Sequence, residues 1–301
     1  MIKKYASLLV LLSGILWATM GLFVRRFNAW GLESMQIVEL RAITAALMLF
    51  LIILFYDPRL LKIRLRDCWC FFGSGVVSVT FFNFCYYSTI RELSLSVAAT
   101  LLYTSPIFVM LLSALLFKER ITLQKLLALA LAFAGCVLVS GMLGGGTALS
   151  LRGLLLGLGS GFGYALYSIF SRLALNRGYH SLSITLYTFV FSSLGGAFLT
   201  DFGQISAALA PRGLSGLAFF CFYSLVTTVL AYIVYTLGLS HMENSRAAVI
   251  AAIEPVAATL FGLLFFREIP TLPMVLGMIL VLAALFLLNR REKEAPGKLL
   301  S

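Results

Sequence analysis

The sequence predicts an all-α integral membrane protein, with ten transmembrane helices arranged as two inverted five-helix repeats. Three observations carry that prediction. The chain of 301 residues is 61% hydrophobic and only 12% charged, against about 25% charged in an ordinary soluble domain. Its apolar residues gather in ten uninterrupted runs, and two ordered sets of residues recur about half a chain apart. A helical span takes about 20 apolar residues, so ten spans use about 200 and leave about 100 for loops and tails. That excludes a sizeable soluble domain.

The runs fall at about 5–24, 35–55, 70–89, 94–117, 122–141, 152–175, 183–200, 213–238, 244–266 and 271–289. Each is closed by a charged or Pro/Gly-containing turn. The first follows Lys3 and Lys4, as the core of a signal peptide would. It lacks an Ala-x-Ala cleavage site and more runs follow it, so it reads as a retained span. Barrel strands are shorter and alternate, which leaves helices to satisfy the backbone inside lipid.

Loops on one side, with both tails, hold sixteen Lys and Arg, among them Arg59, Lys62, Arg64, Arg66, Arg172 and Arg177. The other side holds six: Arg25, Arg26, Arg91, Arg152, Arg212 and Arg267. The positive-inside rule then places both termini in the cytoplasm of a multi-pass protein of the cell's inner membrane. The net charge of +11 is an orientation signal and calls for no nucleic-acid partner. No GxxxxGK[ST] loop appears, so ATP is not the evident energy source. Cys68, Cys70, Cys85, Cys136 and Cys221 lack metal-site spacing and read as small apolar residues, so no metal or cofactor is expected.

The repeat is explicit in the residues. Ser96 to Pro106, followed by Glu119, matches Ser245 to Pro255, followed by Glu268, at an offset of 149. Ser13-Gly14, Trp17-Ala18 and Arg25 match Ser160-Gly161, Tyr164-Ala165 and Arg172 at an offset of 147. The chain divides into a first repeat at 1–141, a linker at 142–150, a second repeat at 151–290 and a cytoplasmic tail at 291–301. Five spans per repeat is odd, so the second copy enters the membrane from the opposite side. Inverted repeats let one half rock against the other around a site near the bilayer midplane. The plainer alternative is that duplication merely stabilises a bundle.

The Trp17-Ala18 segment, Arg41, the run from Pro106 to Glu119 and the run from Glu254-Pro255 to Glu268 together resemble the EamA domains of the drug/metabolite transporter superfamily. The resemblance covers both halves, nearly the whole chain. It implies a ten-helix carrier that moves metabolites, often outward, and leaves the substrate open among amino acids, vitamins, nucleobases and other solutes. The chain departs from a symmetric pattern at Thr188, which stands where the first repeat has Arg41.

Glu254 falls near the middle of span nine, and a carboxylate there costs roughly 2.5–3.5 kcal/mol on insertion scales. Such a group serves as a proton carrier or substrate ligand, or sits neutral and hydrogen-bonded beside the bend at Pro255. Arg41 and Glu39 lie in the first turns of span two, where Arg41 can clamp a substrate carboxylate and Glu39 can share the coupling, or both can snorkel to the interface. Pro106 and Pro255 bend their helices as hinges or as static kinks. Stripes of polar and aromatic residues offer a substrate pocket: Thr80, Asn83, Tyr86 and Tyr87; Tyr164, Tyr167 and Ser168; Tyr223, Thr227 and Tyr235; and Tyr103 in span four. The substrate-binding set is Arg41, Asn83, Tyr86, Tyr103, Tyr164, Tyr235 and Glu254. The same spacing also suits plain packing, the reading given to Trp17. Glu119 and Glu268 read as capping or gating groups.

His180 and His241 both fall in loops, so the spans hold no His-based catalytic or metal site and the chain reads as a non-enzyme. Away from the ends of the runs Arg41 is the one cation inside a span, which favours a neutral, cationic or zwitterionic solute, such as an amino acid, over a dianion. The sequence thus points to a secondary active exporter of a small organic metabolite, working by alternating access with proton coupling, in a lipid bilayer. An uncoupled facilitative carrier and a non-transporting scaffold or sensor are the alternatives, and a homodimer is left open. Reporter fusions test the topology. Those after residues 66, 149 and 295 should read cytoplasm, outside and cytoplasm, and a cytoplasmic signal at 149 would end the inverted arrangement.

Overall fold

The computed structural model describes residues 2–141 and 150–289. Ten apolar helices form the bundle, here numbered α1 (Tyr5–Ala29), α2 (Ser34–Tyr56), α3 (Leu65–Glu92), α4 (Leu95–Phe117), α5 (Leu123–Val139), α6 (Leu151–Leu175), α7 (Ser181–Leu199), α8 (Phe202–Leu239), α9 (Asn244–Phe266) and α10 (Leu272–Leu288). Eight are long and apolar enough to cross a membrane, and α5 and α10 are the two shorter ones. The expected linker, apart from Ser150, and the expected tail lie outside the described residues. With five helices in each half, the halves run in opposite directions. The end of the bundle carrying the start of α1 and the end of α10 is called here the termini face, and the other end the loop face.

One segment escaped the run-based reading, which began the eighth span at 213. Phe202–Leu209 is helical, because Asp201 caps it by accepting from the Gly203 and Gln204 amides at 2.8 and 3.3 Å. The chain then turns at Gly213, whose φ of +54° is the left-handed region that glycine tolerates.

The repeat reaches down to the irregularities. Helix α4 is helical over Leu95–Leu102, breaks at Tyr103–Thr104 and resumes over Ser105–Phe117. Helix α9 does the same over Asn244–Ala251 and Glu254–Phe266, with its break at Ala252–Ile253. The bounds coincide at the 149 offset. Pro106 and Pro255 each occupy the first turn of the second segment, where the missing N–H costs no hydrogen bond. Both fourth helices then end on a left-handed residue, Lys118 at φ 56° and Arg267 at φ 57°. The third helix of each half contains a π-helical stretch, Gly73–Thr80 in α3 and Leu225–Leu230 in α8. Such wide turns inside an α-helix free carbonyls for other donors. The Thr80 hydroxyl reaches the Gly75 carbonyl of that stretch at 3.3 Å and shares its one proton with Ser192 O of α7 at 3.1 Å.

Two glycines of the other repeated motif seat the breaks. A Cβ on Gly14 of α1 would lie 2.6 Å from Ile253 Cγ2 and 3.1 Å from Ala251 O, at the break in α9. A Cβ on Gly161 of α6 would lie 2.7 Å from Leu101 O, at the break in α4. Each first helix therefore packs against the broken helix of the opposite half. The neighbouring serines bond back to their own helices, Ser13 to Val10 O at 2.6 Å and Ser160 to Gly157 O at 2.7 Å. They satisfy themselves and leave the glycine face clear.

Helices α5 and α10 pair through Gly135 and Gly277, where small residues let two backbones approach. A Cβ on Gly135 would meet Gly277 O and Val281 Cγ2, both at 2.7 Å. Gly135→Val should cost about 1–3 kcal/mol through overpacking and lower the melting midpoint in detergent. Gly159→Ala is the control, since a Cβ there meets nothing closer than 3.4 Å. Equal midpoints for the two variants would disprove close α5–α10 contact.

Candidate functional site

The break in α9 makes Glu254 the first residue of a new helix in the middle of the bundle. Its carboxylate sits where unsatisfied amides and the helix dipole favour negative charge. The Tyr164 hydroxyl of α6 donates to Glu254 Oε2 across a long 3.5 Å. Around this pair lies a narrow cavity lined by Tyr103, Ser105 and Pro106 from α4, by Leu129, Ala132, Phe133 and Cys136 from α5, and by Ala248, Ala251 and Ala252 from α9.

A second cavity adjoins the first and shares Tyr164 with it. Trp17 of α1, Ser78, Val79 and Phe82 of α3, Tyr167 and Ser168 of α6, and Tyr232 and Tyr235 of α8 line it. Each cavity has room for about one water molecule. Two hydroxyl pairs fix the α6–α8 wall, Tyr167 with Thr236 at 2.7 Å and Ser168 with Tyr235 at 2.6 Å. Trp17 stacks edge-on against Tyr164, with centroids 6.1 Å apart, and against Tyr232 at 5.2 Å. Its indole Nε1 is buried without a hydrogen-bond partner.

Arg41 lies apart from both cavities and is 2% exposed. Tyr87, Tyr223 and Tyr232 surround it. Its guanidinium donates to Met20 Sδ at 3.3 Å, while Nε has no partner. Among the described residues no carboxylate pairs with it. Glu39 is 1% exposed and both its oxygens are buried without a partner. Burial this deep removes the snorkelling explanation for both groups, because α2 begins seven residues before Arg41 and neighbouring helices cover that turn. Towards the loop face, Tyr87 also lines a vestibule of about 450 Å³, rimmed by Glu33 and Arg91.

The remaining expected residues divide. Tyr103, Tyr164, Tyr235 and Glu254 line the two cavities. Asn83 lines neither and bonds back along its own helix to Val79 O at 2.7 Å. Tyr86 stacks on Tyr87 with ring centroids 5.5 Å apart. Pro106 lines the first cavity, and Pro255 is buried beside Glu254. The sequence reading missed the α1 and α5 walls. For Trp17 a signal existed, since it matches Tyr164 under the 147 offset. For Cys136 and its neighbours there was none, because apolar residues on an apolar helix do not announce which face meets a cavity.

The model of the EamA-like transporter family matches residues 4–141 and 151–290, and the chain belongs to that family. It is 30% identical over 293 residues to an uncharacterized transporter of Archaeoglobus fulgidus, covering 94% of this chain and 96% of that protein. With the uncharacterized transporter YxxF of Bacillus subtilis it shares 25% identity over 300 residues, 97% of this chain and 92% of the relative. A solved crystal structure superposes with a TM-score of 0.77 at 16% identity over 95% of this chain and 96% of that one, a likeness of fold. The protein is a multi-pass membrane protein of a transporter family.

The hydroxyl pairs and the Tyr164 contact make separable predictions. Tyr167→Phe leaves the buried Thr236 hydroxyl without its partner and should cost about 1–3 kcal/mol, seen as a lower melting midpoint in detergent. Tyr164→Phe removes only a 3.5 Å contact and should cost less. The reverse order would show that Tyr164, and not the α6–α8 wall, holds the site together.

Proposed function

We propose that this member of the EamA-like transporter family is a secondary active carrier that exports a small organic metabolite across the inner membrane in exchange for protons. The observation that carries the proposal is Glu254. It is a carboxylate at a helix break, in a cavity lined by both halves, with one long hydrogen bond to Tyr164, the residue that this cavity shares with the second. A charged carboxylate in hydrocarbon is costly, so it is stable there when protonated, paired with a substrate cation, or wetted by an open cavity. Those three states are the ones an alternating-access exchanger visits in turn. Glu39, buried and unpartnered, is a second proton carrier in this scheme.

Arg41 and Glu254 supply opposite charges from opposite halves, a complement for a zwitterionic solute such as an amino acid. Tyr103, Tyr164 and Tyr235 form the walls, with Asn83 and Tyr86 at their margin. Pro106 and Pro255 mark the hinges about which the two halves of α4 and α9 swing. Both termini face the cytoplasm in this reading, by the sixteen-to-six distribution of cations.

Metabolite profiling of cells with and without the gene would supply the substrate for a vesicle assay. Glu254→Gln keeps size and hydrogen bonding but cannot titrate. In proteoliposomes given a pH step, the variant should lose accumulation by at least about tenfold while still exchanging substrate between the two sides. A folded Gln variant with full pH-driven accumulation would show that Glu254 does not couple. If the unaltered protein equilibrates substrate with no response to pH, the facilitative alternative replaces the exchanger.

A further inference from the structure

The repeat is symmetric in sequence and asymmetric in contact. On the termini face, the Glu119 carboxylate after α4 accepts from the Asn244 amide at 2.7 Å, the Ser245 amide at 3.2 Å and the Ser245 hydroxyl at 2.6 Å. It caps the start of α9, a helix of the other half. Arg172 braces the same corner, donating to Asn244 Oδ1 at 2.7 Å, to Leu239 O at 2.6 Å and to Met242 O. Asn244–Ala251 accordingly packs along Ser105–Phe117.

On the loop face the equivalent parts exist and are apart. Glu268, the counterpart of Glu119, pairs with Arg25, the counterpart of Arg172, at 2.8 Å, and both side chains are more than half exposed. Gly262 makes room for this parked position, since a Cβ there would lie 2.8 Å from Glu268 Oε2. The first amides of α4, on Leu95 and Ser96, correspond to those of Asn244 and Ser245. Among the described residues they have no acceptor, and Ser94 caps only Val97, at 3.2 Å. Leu95–Leu102 lies against α6 and makes no comparable packing against Glu254–Phe266.

We propose that Glu119 and Glu268 are mutually exclusive latches. Glu119 on the start of α9, the contact seen here, holds α4 and α9 together at the termini face in one state. In the opposite state Glu119 lets go, Glu268 leaves Arg25 and caps the Leu95 and Ser96 amides, and the loop face closes. Each latch crosses between halves, so each can form only when α4 and α9 tilt together at its own face. The inference rests on the alternating-access reading and assigns the groups that hold its two end states.

Hydrogen exchange on the full chain, without substrate, tests it. Glu119→Ala should speed exchange of the Asn244 and Ser245 amides by about tenfold or more, as expected when a charge-assisted cap is lost. In the same variant the Leu95 and Ser96 amides should slow, because the population moves to the state in which Glu268 caps them. The double variant Glu119→Ala/Glu268→Ala should return those two amides to the unaltered rate. Should the Ala variant not fold, Glu119→Gln should move both sites in the same directions by less. Leu95 and Ser96 amides that do not slow on loss of Glu119, or that stay slow in the double variant, would overturn the proposal and leave Glu119 a static cap. A reciprocal response in a chain that moves no solute would keep the latches and remove the carrier reading.

Discussion

The structure depends on one constraint: a helix broken in the middle of a bilayer must bury its loose backbone groups in protein, because lipid offers them no partner. Helices α4 and α9 are both broken near their centres. Gly14 and Gly161 bring the first helices close enough to cover the breaks, and each covers the break of the other half. The inverted repeat is therefore an interlocked pair, and the Ser-Gly motif in α1 and α6 has a backbone reason.

The same interlock brings repeat-related residues together at the centre. Trp17 and Tyr164, equivalent under the 147 offset, meet edge to face. Yet the chemistry is divided unequally between the halves. Ser105 stands where the second half has Glu254, and Thr188, satisfied by Ser74 at 2.6 Å, stands where the first half has Arg41. Symmetry sets the backbone and the positions of the breaks, and single substitutions within it set the charges. The scaffold is symmetric, but the placing of its charges Glu39 and Arg41 in one half and Glu254 in the other is not.

Much of this could be read from the residues before any coordinates. The breaks were legible because proline inside an apolar run has few explanations, and because two copies of the pattern agreed. That Glu254 lies near the middle of its helix followed from counting residues along the run. Other features depend on what lies opposite a helix face, which periodicity does not reveal. Arg41 and Glu39 sit near the start of α2, where snorkelling is the ordinary outcome, and only the neighbouring helices make them buried. Asn83 has the spacing of a wall residue but turns back to its own backbone. The short helix after Asp201 is set by one carboxylate on two amides, too local a signal for a search that weighs twenty-residue runs.

The central cavities, each with room for about one water, say which parts of the bundle must move if a metabolite is to fit. The α6–α8 wall is pinned by two short hydroxyl bonds and by ring contacts, Tyr167 edge-on to Tyr232 at 4.9 Å and tilted against Tyr235 at 5.9 Å. Buried hydrogen-bonded pairs of this kind resist separation, since each partner would be left unsatisfied. Opposite them, α4 and α9 present Pro106, small alanines and a carboxylate held by one long bond. The lower cost of displacement lies on that side. Under the proposed carrier reading, space for substrate would come from α4 and α9 swinging at their breaks against the aromatic wall, and the breaks that burden the fold with loose backbone groups would also be its joints.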